Sequence, residues 1–177
     1  RREGAAPIAG GTDLMIRMRA GQVRPTLLVD VGAVESLRAM EARDDGVAIG
    51  AATPMSELLD SPVVRDRLPL LYRALQSVGS VQIRHRATLG GNLVNASPAA
   101  DGVLALVALD ARVRVIGADG QRHTLPVSEF VLGPGRTALQ RGQLVQAIEI
   151  PFPPRNAVPF YHKVGRRRAL TIAIASV

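Results

Sequence analysis

Residues Leu89 to Asp101 read LGGNLVNASPAAD and stand out from the sequence around them. This stretch combines an adjacent pair of glycines, Gly90 and Gly91, with two asparagines, a serine, a proline and a closing aspartate. Glycine has no side chain to hold a ligand away from the main chain, and the polar residues offer short hydrogen-bonding groups. This composition predicts a loop whose backbone can approach a ligand closely.

A second glycine pair, Gly10 and Gly11, stands directly before a predicted helix. Free N–H groups at such turns can bind phosphate oxygens, so two turns could hold both phosphates of a dinucleotide. A Gly-Gly pair taken alone is more often an ordinary structural turn. Neither pair fits Gly-x4-Gly-Lys-Ser/Thr or Gly-x-Gly-x-x-Gly, which counts against the common ATP-binding and nicotinamide-binding folds.

Polar side chains near the two glycine pairs could complete a site for a phosphate-containing ligand. The hydroxyl and amide groups in question belong to Thr12, Thr88, Asn92, Asn95 and Ser97. Asp101 could accept a hydrogen bond from a sugar hydroxyl. It could equally cap the helix whose apolar residues begin at Val103.

The composition predicts a globular protein with an aliphatic core. The 177 residues are 47% hydrophobic and only 3% aromatic, without tryptophan, so Leu, Val, Ile and Ala must fill the core. Because no cysteine occurs, the chain cannot supply disulfides, thiol nucleophiles or cysteine-ligated iron–sulfur clusters. The three histidines are far apart in sequence, so no metal site is predicted.

The net charge of +7 comes almost entirely from arginine, since Lys163 is the only lysine. A basic chain raises the possibility of a nucleic-acid partner. The arginine clusters lack interleaved aromatic residues for base stacking, which favours a solvated surface or a docking face for an acidic neighbour. The longest apolar run, 103–109, is too short to cross a bilayer and no signal peptide opens the chain, so we expect a cytoplasmic protein.

The hydrophobic pattern predicts an α+β fold. Residues 1–50 read as strand, glycine turn, helix and strand, and the continuous apolar run TLLVDV (26–31) predicts a buried strand. Helices are expected to begin at Thr53-Pro54 and Ser61-Pro62 and to cover 69–78 and 103–109. Strands of an antiparallel sheet follow at 111–117, 122–127, 144–152 and 160–164.

Both ends of the sequence look interrupted. The chain opens without a methionine and stops within the apolar run 170–177, which is typical of a strand that lacks its partner. We therefore expect this chain to be a piece of a longer polypeptide.

Segments at the start, middle and end of the chain resemble, in the correct order, the flavin motifs of one family. That family is the FAD-binding medium subunit of molybdenum hydroxylases, which includes xanthine dehydrogenase and carbon monoxide dehydrogenase. IAGGTDLMIRMRAG (8–21) is similar to its first motif and ATLGGNLVNASPAADGVLALVALDARV (87–113) to its second. KVGRRRALTIAIASV (163–177), preceded by IEIP at 148–151, resembles the third. The resemblance covers essentially the whole chain.

The resemblance implies an α+β, vanillyl-alcohol-oxidase-like (PCMH-type) FAD-binding domain. Such a domain has a small α/β subdomain and a larger subdomain with an antiparallel sheet. On this basis residues 1–50 form the N-terminal subdomain and 51–162 the second one. Residues 163–177 would begin a further C-terminal domain.

The resemblance also implies which residues contact FAD. A first loop would wrap the pyrophosphate with Ile8, Ala9, Gly10, Gly11, Thr12, Asp13 and Leu14. A second loop would contact it from the other side with Thr88, Leu89, Gly90, Gly91 and Asn92. Asn95 and Asp101 would hold the ribityl or ribose region, Val78 and Val145 would contact a ring system, and Lys163 would lie near the flavin or its phosphates. No catalytic residue and no metal ligand is implied on this chain.

The function that the resemblance implies is that of an oxidoreductase subunit for electron transfer. Substrate would be oxidised at a molybdenum–pterin centre on a large subunit, and electrons would pass through [2Fe–2S] clusters on a small subunit. FAD on this chain would deliver them to a terminal acceptor, which could be NAD, oxygen or a quinone. Other possibilities are a stand-alone flavin oxidoreductase of the same superfold, a flavin-free assembly subunit and a basic nucleic-acid-binding module.

Overall fold

The computed structural model describes residues 3–165 and 173–176. The chain begins with a strand–helix–strand unit formed by β1 (Glu3–Ile8), α1 (Leu14–Arg19) and β2 (Pro25–Asp30). The two strands pair in parallel, with Ile8 opposite Asp30. Parallel strands need a crossover connection, and α1 supplies it. The predicted α/β unit is confirmed.

The prediction that TLLVDV is a buried strand is wrong in one respect. β2 forms where expected, but its residues are exposed apart from the half-buried Pro25, and Leu27 keeps 58% of its surface accessible. A continuous apolar run indicates burial only when layers cover both faces of a parallel sheet. Within the described residues β2 pairs with β1 alone, in a two-stranded sheet.

The remaining strands form mainly one antiparallel sheet. In chain order they are β3 (Met40–Ala42), β4 (Gly46–Gly50), β5 (Arg112–Ile116), β6 (Arg122–Pro126), β7 (Val131–Gly133), β8 (Arg136–Thr137), β9 (Leu144–Pro151), β10 (Lys163–Gly165) and β11 (Ala173–Ser176). Five of them pair in the order β3-β4-β9-β5-β6. Alternate residues such as Val113, Val115 and Ile148 are buried on its inner face, as period-two patterning predicts.

Strand pairing bears on two predictions: the subdomain boundary at residue 50 and the strand expected over 160–164. β4 pairs with β9 along its whole length, which ties residues 46–50 to the larger sheet. The division of the chain at residue 50 stays a prediction. The strand expected over 160–164 begins only at Lys163, where β10 pairs antiparallel with β11. Residues 166–172 of the third motif lie outside the described part.

Short helices cover the inner face of the sheet. After a 3-10 turn at Glu35–Leu37 they are α2 (Met55–Asp60), α3 (Pro62–Arg67), α4 (Pro69–Gln76), α5 (Val81–Arg86), α6 (Leu89–Asn95), α7 (Asp101–Ala108) and α8 (Val127–Phe130). Ser61 caps α3 as its Ser-Pro signature predicts, because its hydroxyl accepts a hydrogen bond from Val64 N–H at 3.5 Å. Thr53 caps nothing; its hydroxyl donates to the Arg38 carbonyl at 3.1 Å. The helices in the described residues are all too short or too polar to traverse a bilayer.

The core lies between this helical layer and the sheet, and it fixes the orientation of α6. Leu89 and Leu93 on α6 are fully buried beside Leu71, Leu75 and Leu106. Burying such a side chain contributes about 1.5–3 kcal/mol. Because these two leucines hold one side of α6 in the core, its other side faces the start of the chain, where the candidate site lies.

Candidate functional site

A cavity of about 320 Å³ lies between the N-terminal loop and α6. Most of the residues predicted from the flavin motifs line it, namely Ile8, Ala9, Gly10, Gly11, Thr12, Asp13, Leu14, Val78, Thr88, Gly91, Asn92 and Asn95. The two glycine pairs are 80 residues apart in sequence. The fold therefore brings both motifs to one space.

Gly10 allows the N-terminal loop to lie directly against the main chain before α6. A Cβ at this position would stand 1.8 Å from the carbonyl oxygen of Arg86 and 2.5 Å from its carbonyl carbon. No other residue type can occupy the position without moving backbone. Gly11 has a positive φ of 72°, which turns the chain into α1. Here the glycine pair serves both close packing and a left-handed backbone.

The N-terminal loop carries a row of main-chain donors without protein partners. Within the described residues, the N–H groups of Ala9, Gly10, Gly11, Thr12 and Asp13 make no hydrogen bond to protein. All of these residues line the cavity. Consecutive free N–H groups form a concave surface of positive partial charge that suits an anion.

The second glycine pair has a different role from the one expected. LGGNLVN is not a loop but the helix α6, and its first N–H groups already have partners. Leu89 N–H donates to Thr53 O at 3.3 Å and Gly90 N–H to Ala51 O at 3.0 Å. Gly91 N–H donates to the Thr88 hydroxyl oxygen at 3.0 Å. The expectation of free donors here is wrong, because the helix cap and the neighbouring chain use them.

Gly90 and Gly91 differ in what surrounds them. A Cβ on the buried Gly90 would lie 2.5 Å from the Ala51 carbonyl oxygen, so the absence of a side chain serves packing. A Cβ on the exposed Gly91 would meet only the Thr88 hydroxyl oxygen, at 2.9 Å. Gly91 is therefore the residue of the pair that leaves open space for a ligand.

Polar side chains join the two sides of the cavity. Asn95 on α6 donates a hydrogen bond from Nδ2 to Oδ1 of Asp13, at 3.1 Å, and so links α6 to the loop. Asn92 Oδ1 is buried and has no hydrogen-bond partner among the described residues. This oxygen faces α7, because a Cβ built on Gly102 would stand 2.6 Å from it, so it lies in the contact between α6 and α7.

Leu89, Asp101 and Lys163 are predicted contact residues that line neither this cavity nor a smaller one that adjoins it. Leu89 belongs to the core. Asp101 and Lys163 form a buried ion pair, with Lys163 Nζ 2.5 Å from Asp101 Oδ2. Lys163 also donates to the Ser77 carbonyl at 3.1 Å, next to Val78 of the cavity wall. The pair therefore ties β10 to α4 and α7.

Tyr161 completes this buried network. Its hydroxyl lies 2.8 Å from the Ser77 hydroxyl and donates to Asp101 Oδ1 at 2.8 Å. Burial, together with the negative charge of Asp101, raises the pKa of Tyr161 to about 12. Asp101 is the first residue of α7, and its side chain bonds to this network instead of capping the helix.

A smaller apolar cavity of about 130 Å³ adjoins the first. Its larger apolar side chains include Val31, Leu37, Val94, Leu139, Leu144 and the predicted Val145. Thr88 and Gly91 belong to the linings of both cavities, and Gly90 lines the smaller one. The two cavities meet at Gly91, which has no side chain to separate them. This arrangement suits a ligand with two ring systems joined by a narrow linker.

Sequence reasoning missed several lining residues, among them Arg17, Met55, Ile83 and Val94. Ile83 lies on α5, and this helix has no N-terminal proline or amphipathic run that would predict it. Its start is marked only by Ser80, whose hydroxyl accepts from Ile83 N–H at 3.3 Å. Arg17 could have been found, because it stands one helical turn after Asp13.

The fold and the site define a ligand-binding domain in which a parallel strand–helix–strand unit faces helices packed on an antiparallel sheet. The chain belongs to the family described as the FAD binding domain in molybdopterin dehydrogenase, whose model matches residues 1–153. This family membership confirms the resemblance seen in the sequence and the predicted cofactor, FAD.

Similar proteins are dehydrogenase subunits. The nicotinate dehydrogenase FAD-subunit of Eubacterium barkeri is 32% identical over 172 residues, 96% of this chain and 58% of that protein. The glyceraldehyde dehydrogenase medium chain of Sulfolobus acidocaldarius is 32% identical over 171 residues, 97% of this chain and 60% of that protein.

A solved structure shares the fold. Carbon monoxide dehydrogenase from Hydrogenophaga pseudoflava, in a form lacking the Mo-pyranopterin moiety of the molybdenum cofactor, superimposes with a TM-score of 0.92 at 31% identity. The match covers 97% of this chain and 59% of that one. The chain thus spans about three fifths of the length of these relatives.

Proposed function

We propose that this chain binds FAD as the flavin-binding part of a molybdenum-containing dehydrogenase or hydroxylase. The observation that carries the proposal is the row of free main-chain N–H groups at 9–13, which faces the bare Gly91 across one cavity. A diphosphate needs donors on one side and no obstructing side chain on the other. The family membership of the chain supports FAD as the ligand.

The residues present fit this cofactor. The loop from Ile8 to Leu14 would bind the diphosphate through main-chain N–H groups, and the Thr88 hydroxyl, whose oxygen already accepts from Gly91, is free to donate. Asn92 and Asn95 would bind sugar or ribityl hydroxyls. Val78 in the larger cavity and Val145 in the smaller one would each contact a ring system.

Leu89, Gly90, Asp101 and Lys163 remain in the proposed site with supporting roles. Leu89 and Gly90 hold α6 against the core, so that Gly91 stays at the cavity. Lys163 binds the Ser77 carbonyl, which places the Lys163–Asp101 pair beside the Val78 wall. A contact of this pair with the ribityl or flavin region is part of the proposal.

FAD, when bound, can take up electrons singly and release them in pairs, which is the chemistry this part of the enzyme would supply. The chain's own residues bind and orient the cofactor. We further propose that a molybdenum–pterin large subunit and a [2Fe–2S] small subunit are the partners, since this chain contains no cysteine to hold a cluster. The terminal electron acceptor would be NAD, oxygen or a quinone. We also propose that the protein is cytoplasmic and that its fold is of the PCMH type.

The experiment is to mix the protein with FAD, remove free flavin and quantify the flavin released by denaturation. We expect one FAD per chain, bound without a covalent link. A protein that retains no flavin and leaves FAD fluorescence unchanged would contradict the proposal. Salt-sensitive binding of DNA or RNA by a protein without flavin would instead support the alternative of a basic nucleic-acid-binding module.

Co-purification with molybdenum and iron–sulfur subunits would distinguish the proposal from a stand-alone oxidoreductase.

A further inference from the structure

Arg17 places a positive charge in the wall of the larger cavity. It lies on α1, and its N–H donates to the Asp13 carbonyl at 3.0 Å, so it stands one helical turn beyond the N-terminal loop. Two charged residues line this cavity among the described residues, Arg17 and Asp13. Neither glycine motif of the resemblance assigns a role to Arg17.

The guanidinium of Arg17 is without a carboxylate partner in the described residues. By contrast, Arg38, Arg65 and Arg114 each form an ion pair. The nearest candidate in sequence is Asp13, at the i−4 position that favours pairing on a helix. The Asp13 carboxylate instead accepts a hydrogen bond from Asn95. Arg17 therefore remains available to an anionic ligand.

We propose that Arg17 binds a phosphate of the ligand's diphosphate. This inference rests on the proposed FAD function. The free N–H groups of the loop are neutral donors, whereas the guanidinium supplies a full charge and a fork of donors that matches phosphate oxygens. Because Arg17 is exposed, its contribution should weaken as salt screens the charge.

The test compares Arg17→Gln with Arg19→Gln. Arg19 lies on the same helix and is also exposed, but it is not part of the cavity lining. The Kd for FAD is measured for the unmodified protein and both variants, at low ionic strength and at about 0.5 M salt, where the screening length falls to a few ångströms. Glutamine keeps a polar side chain and helix propensity, so the substitution removes the guanidinium with its charge and donors while α1 is retained.

We expect Arg17→Gln to raise the Kd about tenfold at low salt, the size of one charge-assisted hydrogen bond. The difference should shrink to about twofold at high salt, and Arg19→Gln should stay within about twofold throughout. Equal values for the two variants, or a loss at position 17 that salt leaves unchanged, would overturn the role of Arg17 while leaving FAD binding intact. Absence of FAD binding by the unmodified protein would overturn both proposals.

Discussion

Replacing Gly10 with alanine is expected to lower the free energy of unfolding by about 3 kcal/mol or more and to abolish FAD binding. The added Cβ would stand 1.8 Å from the Arg86 carbonyl oxygen, and main chain cannot move aside as a flexible side chain can. The N-terminal loop must then separate from the segment before α6. Because both walls of the cavity depend on this contact, stability and affinity should fall together.

Gly4→Ala is the matched control for this substitution. Gly4 lies on β1 in the same unit, and a Cβ there would meet nothing within 4 Å. Its effect on stability should stay within about 0.5 kcal/mol. Urea unfolding of the two variants and the unmodified protein measures the difference. If Gly10→Ala unfolds at the same denaturant concentration as Gly4→Ala, the close contact at Gly10 is not what holds the loop.

Replacing Gly91 with leucine is expected to raise the Kd for FAD at least about 100-fold, equivalent to about 2.8 kcal/mol, while the fold persists. Gly91 is exposed, and its Cβ direction meets only the Thr88 hydroxyl oxygen. A leucine side chain would therefore extend into the space where the two cavities meet. The expected loss is mainly steric, and the Thr88 hydroxyl must also shift, because a Cβ at Gly91 would stand 2.9 Å from its oxygen.

Gly91→Ala is the graded control for the leucine variant. A single methyl group intrudes less, so affinity should fall in the order glycine, alanine, leucine. Fluorescence titration with FAD gives the Kd, and circular dichroism checks that the overall helical content is retained. A leucine variant that binds FAD as tightly as the unmodified protein would show that the diphosphate of FAD does not lie beside Gly91.

The sequence was sufficient to predict the elements whose patterns are local. The alternation in ARVRVIG and LVQAIEIPF gave β5 and β9, and Ser61-Pro62 gave the start of α3. The exposure of β2 could not be predicted, because a run such as TLLVDV looks the same whether or not a layer covers it. Helix α5 was missed because VQIRHR has neither amphipathic period nor breaker residues.

Much of the lining of the larger cavity was predictable from the sequence, but the hydrogen-bonding roles of its residues were not. Gly10, Gly11 and Gly91 line the larger cavity together, as the motifs indicated, whereas Gly90 lines the smaller one. No local pattern reveals that Gly90 N–H donates to Ala51 O whereas the N–H of Gly10 lacks a protein partner in the described chain. Likewise, the pairing of Asp101 with Lys163 depends on a long-range contact between α7 and β10. Such hydrogen-bond partners are set by tertiary packing.

Amide hydrogen exchange with and without FAD measures the proposed N–H donors themselves and so decides whether the N-terminal loop binds the diphosphate. Without FAD, the amides of residues 9–13 should exchange fast and that of Gly90 slowly, since only Gly90 has a partner in the fold. Added FAD should slow exchange at 9–13 and leave Gly90 nearly unchanged. If FAD binds and the amides of 9–13 exchange as before, those N–H groups do not hold the diphosphate.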